Sequence, residues 1–89
     1  MSEQEPTYYW YSGVYDDVGL DYFEPATPEN NLFAIRRANG LNEHSRNAKA
    51  FTVGLVLETE NTILELIQIG EIQWAKTVIE SQRNIEYVK

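Results

Sequence analysis

Residues Ala50–Glu58 (AFTVGLVLE) decide the reading of this chain. Phe51, Val53, Leu55 and Leu57 alternate onto one face, with Val56 the lone large apolar residue on the other, which is the period of a β-strand. So apolar a strand belongs at the centre of a sheet, half or fully buried. Soon after it, Thr62-Ile63-Leu64-Glu65 fits a capping box, in which the Thr hydroxyl accepts from the Glu N–H while the carboxylate reaches back. From there Ile63, Leu64, Ile67, Trp74, Ala75, Val78 and Ile79 fall within an arc of about 160° at 100° per residue, predicting one long helix over about 63–81. Gly70 interrupts it at about 1 kcal/mol relative to Ala, so a kink or break is allowed there. Leu66, Ile69 and Ile72 lie off the stripe and are candidates for self-association.

Outward from that core, Asn84–Val88 (NIEYV) alternates and reads as a closing strand. The helix and the central strand have matching lengths, about 28 and 30 Å. A strand–helix–strand return then lays Ile85 and Tyr87 alongside Phe51 and Val53, as a right-handed parallel crossover. The predicted fold is α+β: a small two-layer domain, with a mixed sheet of about three or four strands and one long C-terminal helix packed across it. With 89 residues and 10.3 kDa the chain has room for one domain, 1–89, whose polar start (residues 1–6) is expected to fray.

Toward the N-terminus, Thr7–Tyr15 (TYYWYSGVY) is rich in β-formers and predicts a strand. Asp16-Asp17-Val18-Gly19 signals a turn, and Asp21–Ala26 reads as an acidic connector stiffened by Pro25 and Pro28. Thr27-Pro28-Glu29 has the chemistry of a helix start, with Asn39-Gly40 as its stop. The apolar residues Leu32–Ile35 form no clean helical stripe, so residues 28–38 admit helix or strand. Leu41–Lys49 is polar and reads as a loop or short helical turn.

Charge is the most uneven property of the sequence. All of the net −7 belongs to residues 1–35, which hold seven acids and no lysine or arginine; the remainder balances seven acids with seven bases. The same third carries eight of the eleven aromatic residues. Tyr and Trp supply rigid amphipathic contact area, and carboxylates steer a basic partner. The candidate partner-binding residues are therefore Tyr9, Trp10, Tyr11, Tyr15, Asp16, Asp17, Asp21, Tyr22 and Glu24. The competing interpretation assigns the rings to the core and the acids to solvated surface. Direct nucleic-acid binding is disfavoured, because the segment repels phosphates and the bases elsewhere are scattered.

Catalytic chemistry finds little support. There is no cysteine, hence no disulfide or thiolate metal site, and His44 is the single histidine, in a polar stretch. No phosphate-binding glycine loop occurs, and the acids of DDVGLDYFE do not match a calcium-loop pattern. The expectation is a non-enzyme with no cofactor and no metal. No apolar run reaches the ~18 residues of a membrane span, and no secretory leader is evident, so a cytoplasmic setting without membrane association is expected.

These features lead to a small acidic protein-binding module acting by occupation. It would dock its acidic, aromatic N-terminal face on a basic surface of a larger protein, a nucleic-acid-handling one included, as inhibitor or adaptor. Phage-encoded inhibitors, nucleic-acid mimics and immunity-type proteins share this profile of size, acidity and rings, a likeness of composition alone. The alternative is a self-associating structural or regulatory subunit, a homodimer included, using the off-stripe helix face or an open sheet edge.

Overall fold

A computed structural model describes residues 6–89, so the fraying expected over 1–6 lies, apart from Pro6, outside the described residues. In chain order the elements are β1 (Tyr9–Tyr15), β2 (Leu20–Pro25), α1 (Pro28–Asn42), β3 (Lys49–Leu55), α2 (Leu57–Gln68), α3 (Ile72–Glu80) and β4 (Ile85–Val88). The four strands form one sheet in the order β2-β1-β3-β4, and every neighbouring pair is antiparallel. The α+β class holds, with β3 central as its alternation implies.

Two features of the expected fold are corrected. The single helix over 63–81 is instead the pair α2 and α3, which separate at Gly70. Gly70 has φ +84°, a left-handed conformation that costs a residue with a side chain about 1–2 kcal/mol. One unbroken helix would carry the chain along the sheet and return a parallel strand. The broken pair travels out and back, so β4 enters beside the end of β3 and runs antiparallel to it. Ile85 faces Val53 and Tyr87 faces Phe51, the neighbours expected from the pattern but in the opposite direction. The sheet is therefore not mixed.

The break also resets the helical phase. In α2 the buried residues are Ile63 and Leu66, and in α3 they are Ala75 and Ile79. Leu64 and Trp74, placed on the buried stripe by a continuous helix, are exposed, whereas Leu66 points into the core. Nor does Thr62 cap. It lies inside α2, its hydroxyl donating to the Glu58 carbonyl at 3.0 Å. The helix begins five residues earlier, where Glu58 and Glu60 meet the positive end of its dipole.

The second correction concerns the layers, of which there are three. Tyr15, Phe51, Val53 and Leu55 pack with Ile63, Leu66, Ala75 and Ile79 of α2 and α3. On the opposite face, Val14 and Ala50 pack with Ala34, Ala38 and Leu41 of α1. Residues 28–42 are thus helix rather than strand: the Thr27 hydroxyl accepts from the Asn30 N–H at 3.0 Å, and Pro28 occupies the first turn. The small residues Ala34 and Ala38 let this helix approach the sheet closely. Ser12, fully buried between them, donates to Asn31 Oδ1 and pins α1 over β1.

β2 occupies the segment expected as a connector. Its alternation is hidden by a bulge, since Val14 pairs with Tyr22 while Tyr15 pairs with Leu20, leaving Asp21 as the extra residue. Asn42 closes the polar segment after α1 by exchanging two hydrogen bonds with the Ala48 backbone, leading the chain into β3.

Candidate acidic and aromatic surface

The Asp16–Gly19 turn uses its acids internally. Asp16 Oδ1 accepts from the Val18 and Gly19 N–H groups at 2.9 and 3.2 Å, an arrangement typical of Asp in turns. Its second oxygen lies 2.9 Å from Arg46 Nη2. That contact is an ion pair without an aligned hydrogen bond, and neither Asp16 Oδ2 nor Arg46 Nε finds another partner among the described residues. Lys76 donates to the Asp16 carbonyl, and Gln73 to those of Asp17 and Val18, tying the turn to α3. Asp16 is 1% and Tyr15 4% exposed, so these two belong to the turn and the core, and a partner cannot reach them without opening the fold. Asp17 remains at the surface, accepting from Asn47 at 3.1 Å.

Tyr9 and Trp10, at the start of β1, are both about half exposed, on opposite faces of the sheet. Trp10 rests on Gly54 of β3, where a Cβ would come within 2.8 Å of the indole. The ring therefore has one side against backbone and the other open. Tyr11 stacks on Phe23 with centroids 4.3 Å apart and donates to Glu60 Oε2 at 2.5 Å. Burial, then the bond to Glu60 and the charges of Glu60 and Glu24, push its hydroxyl up to about 12.

The contiguous part of the candidate set lies on the shoulder between β2 and α1. On α1 the residues Glu29, Phe33 and Arg37 stand one above the other at helical spacing. The Phe33 ring, exposed by half, lies 4.8 Å from the Tyr22 ring. Asp21, thrust out by the bulge, receives Arg37 Nε and Nη2 at 2.7 and 3.1 Å, a bidentate pair. The Tyr22 hydroxyl is raised by burial and by the neighbouring Glu24. The shoulder thus presents two rings, the carboxylates Glu24 and Glu29, which have no partner among the described residues, and a cation already committed to Asp21. Glu29 and Phe33 are not among the partner-binding candidates read from sequence, although a helix starting at Pro28 places them in line with Arg37.

The proposed self-association residues separate as well. Ile69 (64% exposed) and Ile72 flank the α2–α3 junction, while Leu66 is in the core. His44 is exposed in the turn after α1. Among the described residues no three His, Cys, Asp or Glu side chains converge as a metal site would require, and no helix is long and apolar enough to cross a membrane. Comparison with protein-family models, curated proteins and solved structures finds no match. The chemistry of the surface alone carries its functional reading.

Proposed function

We propose that this protein is a small acidic binding module that acts by occupying a basic surface of another protein, and not by catalysis. The observation that carries the reading is the β2–α1 shoulder, where Tyr22 and Phe33 lie between the carboxylates Glu24 and Glu29 at one end and the Asp21–Arg37 ion pair at the other. An exposed Phe33 and a half-buried Tyr22, beside carboxylates that have no partner among the described residues, suit a partner that offers Arg or Lys around an apolar patch, because Tyr, Trp and Arg dominate binding hot spots. Asp17, Tyr9 and Trp10 extend the same chemistry at its margins, whereas Tyr15 and Asp16 act only by supporting it. A partner whose basic groove handles nucleic acid fits the description, with the acids standing where phosphates would, and a cytoplasmic setting belongs to the same proposal.

Capture from lysate tests it, using the native chain and the double charge reversal Glu24→Lys/Glu29→Lys at low and high salt. A basic protein retained by the native chain at low salt, released at high salt and not held by the variant supports the proposal. Retention that ignores both salt and the reversal overturns it. A second reading, self-association, rests on the apolar cluster of Ile69, Ile72 and Trp74, all exposed around the α2–α3 junction. Sedimentation of the chain alone, with Ile69→Lys as control, distinguishes the two.

A further inference from the structure

The two edges of the sheet are not equivalent. On β2 the Ala26 N–H donates to the Trp10 carbonyl. Antiparallel alternation then makes Ser12–Glu24 and Val14–Tyr22 the hydrogen-bonded pairs, so the backbone groups of Phe23 and Pro25 face outward. Pro25 has no N–H to offer, and the bulge at Asp21 bends the strand. Proline, a bulge and charge are the usual means of closing an edge to further strands. β4 has neither proline nor bulge. Gly54 donates to the Asn84 carbonyl, so by the same alternation the N–H and C=O groups of Ile85 and Tyr87 point away from the sheet.

Beside this open edge runs a groove of about 590 Å³ between β4 and α1. It exists because α1 covers β1 and β3 but stops short of β4. Ile35, Ala38, Ala50 and Val88 give it an apolar floor on the α1 face. Its charged side chains are those of Lys49 and Lys89, with no acidic side chain among the lining residues, in a chain of net charge −7. Lys49 pairs with Tyr15 across the sheet and extends over the Tyr87 ring at 5.4 Å, on the face opposite the apolar floor. Glu86, the one acid of β4, stands against Thr52 and does not line the groove.

From this geometry we infer that β4 is a strand-addition site for an extended acidic segment of another protein, one whose residues alternate between acidic and apolar. The backbone of the segment pairs with Ile85 and Tyr87. Its apolar side chains enter the groove over Val88 and Ala50, and its carboxylates meet Lys49 and Lys89 on the other face. Main-chain bonds supply affinity and the alternating side chains supply selectivity, as in other strand-addition complexes. The site is opposite in charge to the β2–α1 shoulder and independent of it.

Titration with a short capped peptide alternating glutamate and valine, and with its lysine–valine counterpart, tests the assignment. The acidic peptide binds at low salt, the basic one does not, and Lys49→Glu weakens the acidic peptide by about tenfold. Tyr87→Pro removes an outward N–H without touching the bonds between β3 and β4, and it abolishes binding. Amide exchange on the native chain gives the same answer without relying on that variant's folding: saturation with the acidic peptide protects Ile85 and Tyr87 and leaves Phe23 unchanged. Equal binding of both peptides, or no protection of β4 at saturation, overturns the proposal. So does protection of Ile85 and Tyr87 that rises with the concentration of the chain alone, which would make a second copy the occupant. Loss of shoulder binding in Glu24→Lys/Glu29→Lys leaves these readouts unmoved, so the two sites fail separately.

Discussion

Against α2 and α3 the sheet presents Tyr15, Phe51, Val53 and Leu55, whereas against α1 it presents Val14, Ala50 and Ser12. The first face is built from large side chains and needs two helices to cover it. The second is built from small ones and holds a single helix close, by alanines and one buried hydroxyl. Both candidate surfaces, the shoulder at β2 and the groove at β4, flank the helix on the second face. A narrow cover on a small-residue face leaves room at its margins for exposed rings and unpaired charges. The large-residue face carries more of the apolar burial, and stability should divide accordingly.

The sharpest break of that comparison is Phe51→Ala, which empties the fully buried centre of the large face and should cost about 3–5 kcal/mol in urea unfolding. Val14→Ala, equally buried on the small face, should cost about 2 kcal/mol. If the two losses are equal, the faces share the load. Next comes Ala34→Leu, which pushes α1 away from the sheet and should destabilise by about 1–3 kcal/mol through overpacking. It should also disturb the Tyr22–Phe33 contact, seen as a change in aromatic circular dichroism.

Alkali probes the faces through their phenols. Tyr11 and Tyr15, both on the large face, have hydroxyls raised by burial first and then by their bonds to Glu60 and Tyr87; Tyr11 reaches about 12 and Tyr15 lies higher still. Since the fold favours the neutral phenol, this contribution is complete below about pH 10, where tyrosine of the unfolded chain ionises. It is lost as pH climbs through about 12. Melting temperature should therefore fall over that window, and Tyr11→Phe should flatten the fall more than Tyr22→Phe does. The smallest effect expected is on α1, where Gly40 has open space around it and Gly40→Ala should stabilise by about 0.5–1 kcal/mol. Gly70→Ala should have the opposite sign because of its positive φ.

Strand pattern and local capping were legible where neighbours in sequence set them. Phe51, Val53 and Leu55 alternate because β3 is a straight strand, and Thr27-Pro28 starts α1 because a side-chain oxygen and a ring suffice to do it. Asp16 and Gly19 likewise announced their turn. Legibility failed where a long-range partner chose between local options. Thr62 has the chemistry of a cap, but α2 gains more by starting at Leu57, directly after the strand. The alternation of β2 was masked by the bulge at Asp21, whose side chain is held by an arginine sixteen residues away. In the candidate site, residue types pointed to rings and carboxylates on one segment. They could not tell that Tyr15 and Asp16 turn inward, or that Phe33 and Glu29 arrive from the neighbouring helix.

Sequence alone determined the α+β composition, the central strand, the approximate helical stretches and the concentration of acid and aromatic residues in the first third, because each follows from chemistry between near neighbours. Tertiary structure decided the direction of β4, the second covered face and which acids stay unpaired. The first depends on a single glycine adopting φ +84°, the second on small residues and one buried hydroxyl that hold α1 to the sheet, and the third on arginines reaching across the fold; neither the path of the chain after a turn nor the partner of a charge is written in local periodicity.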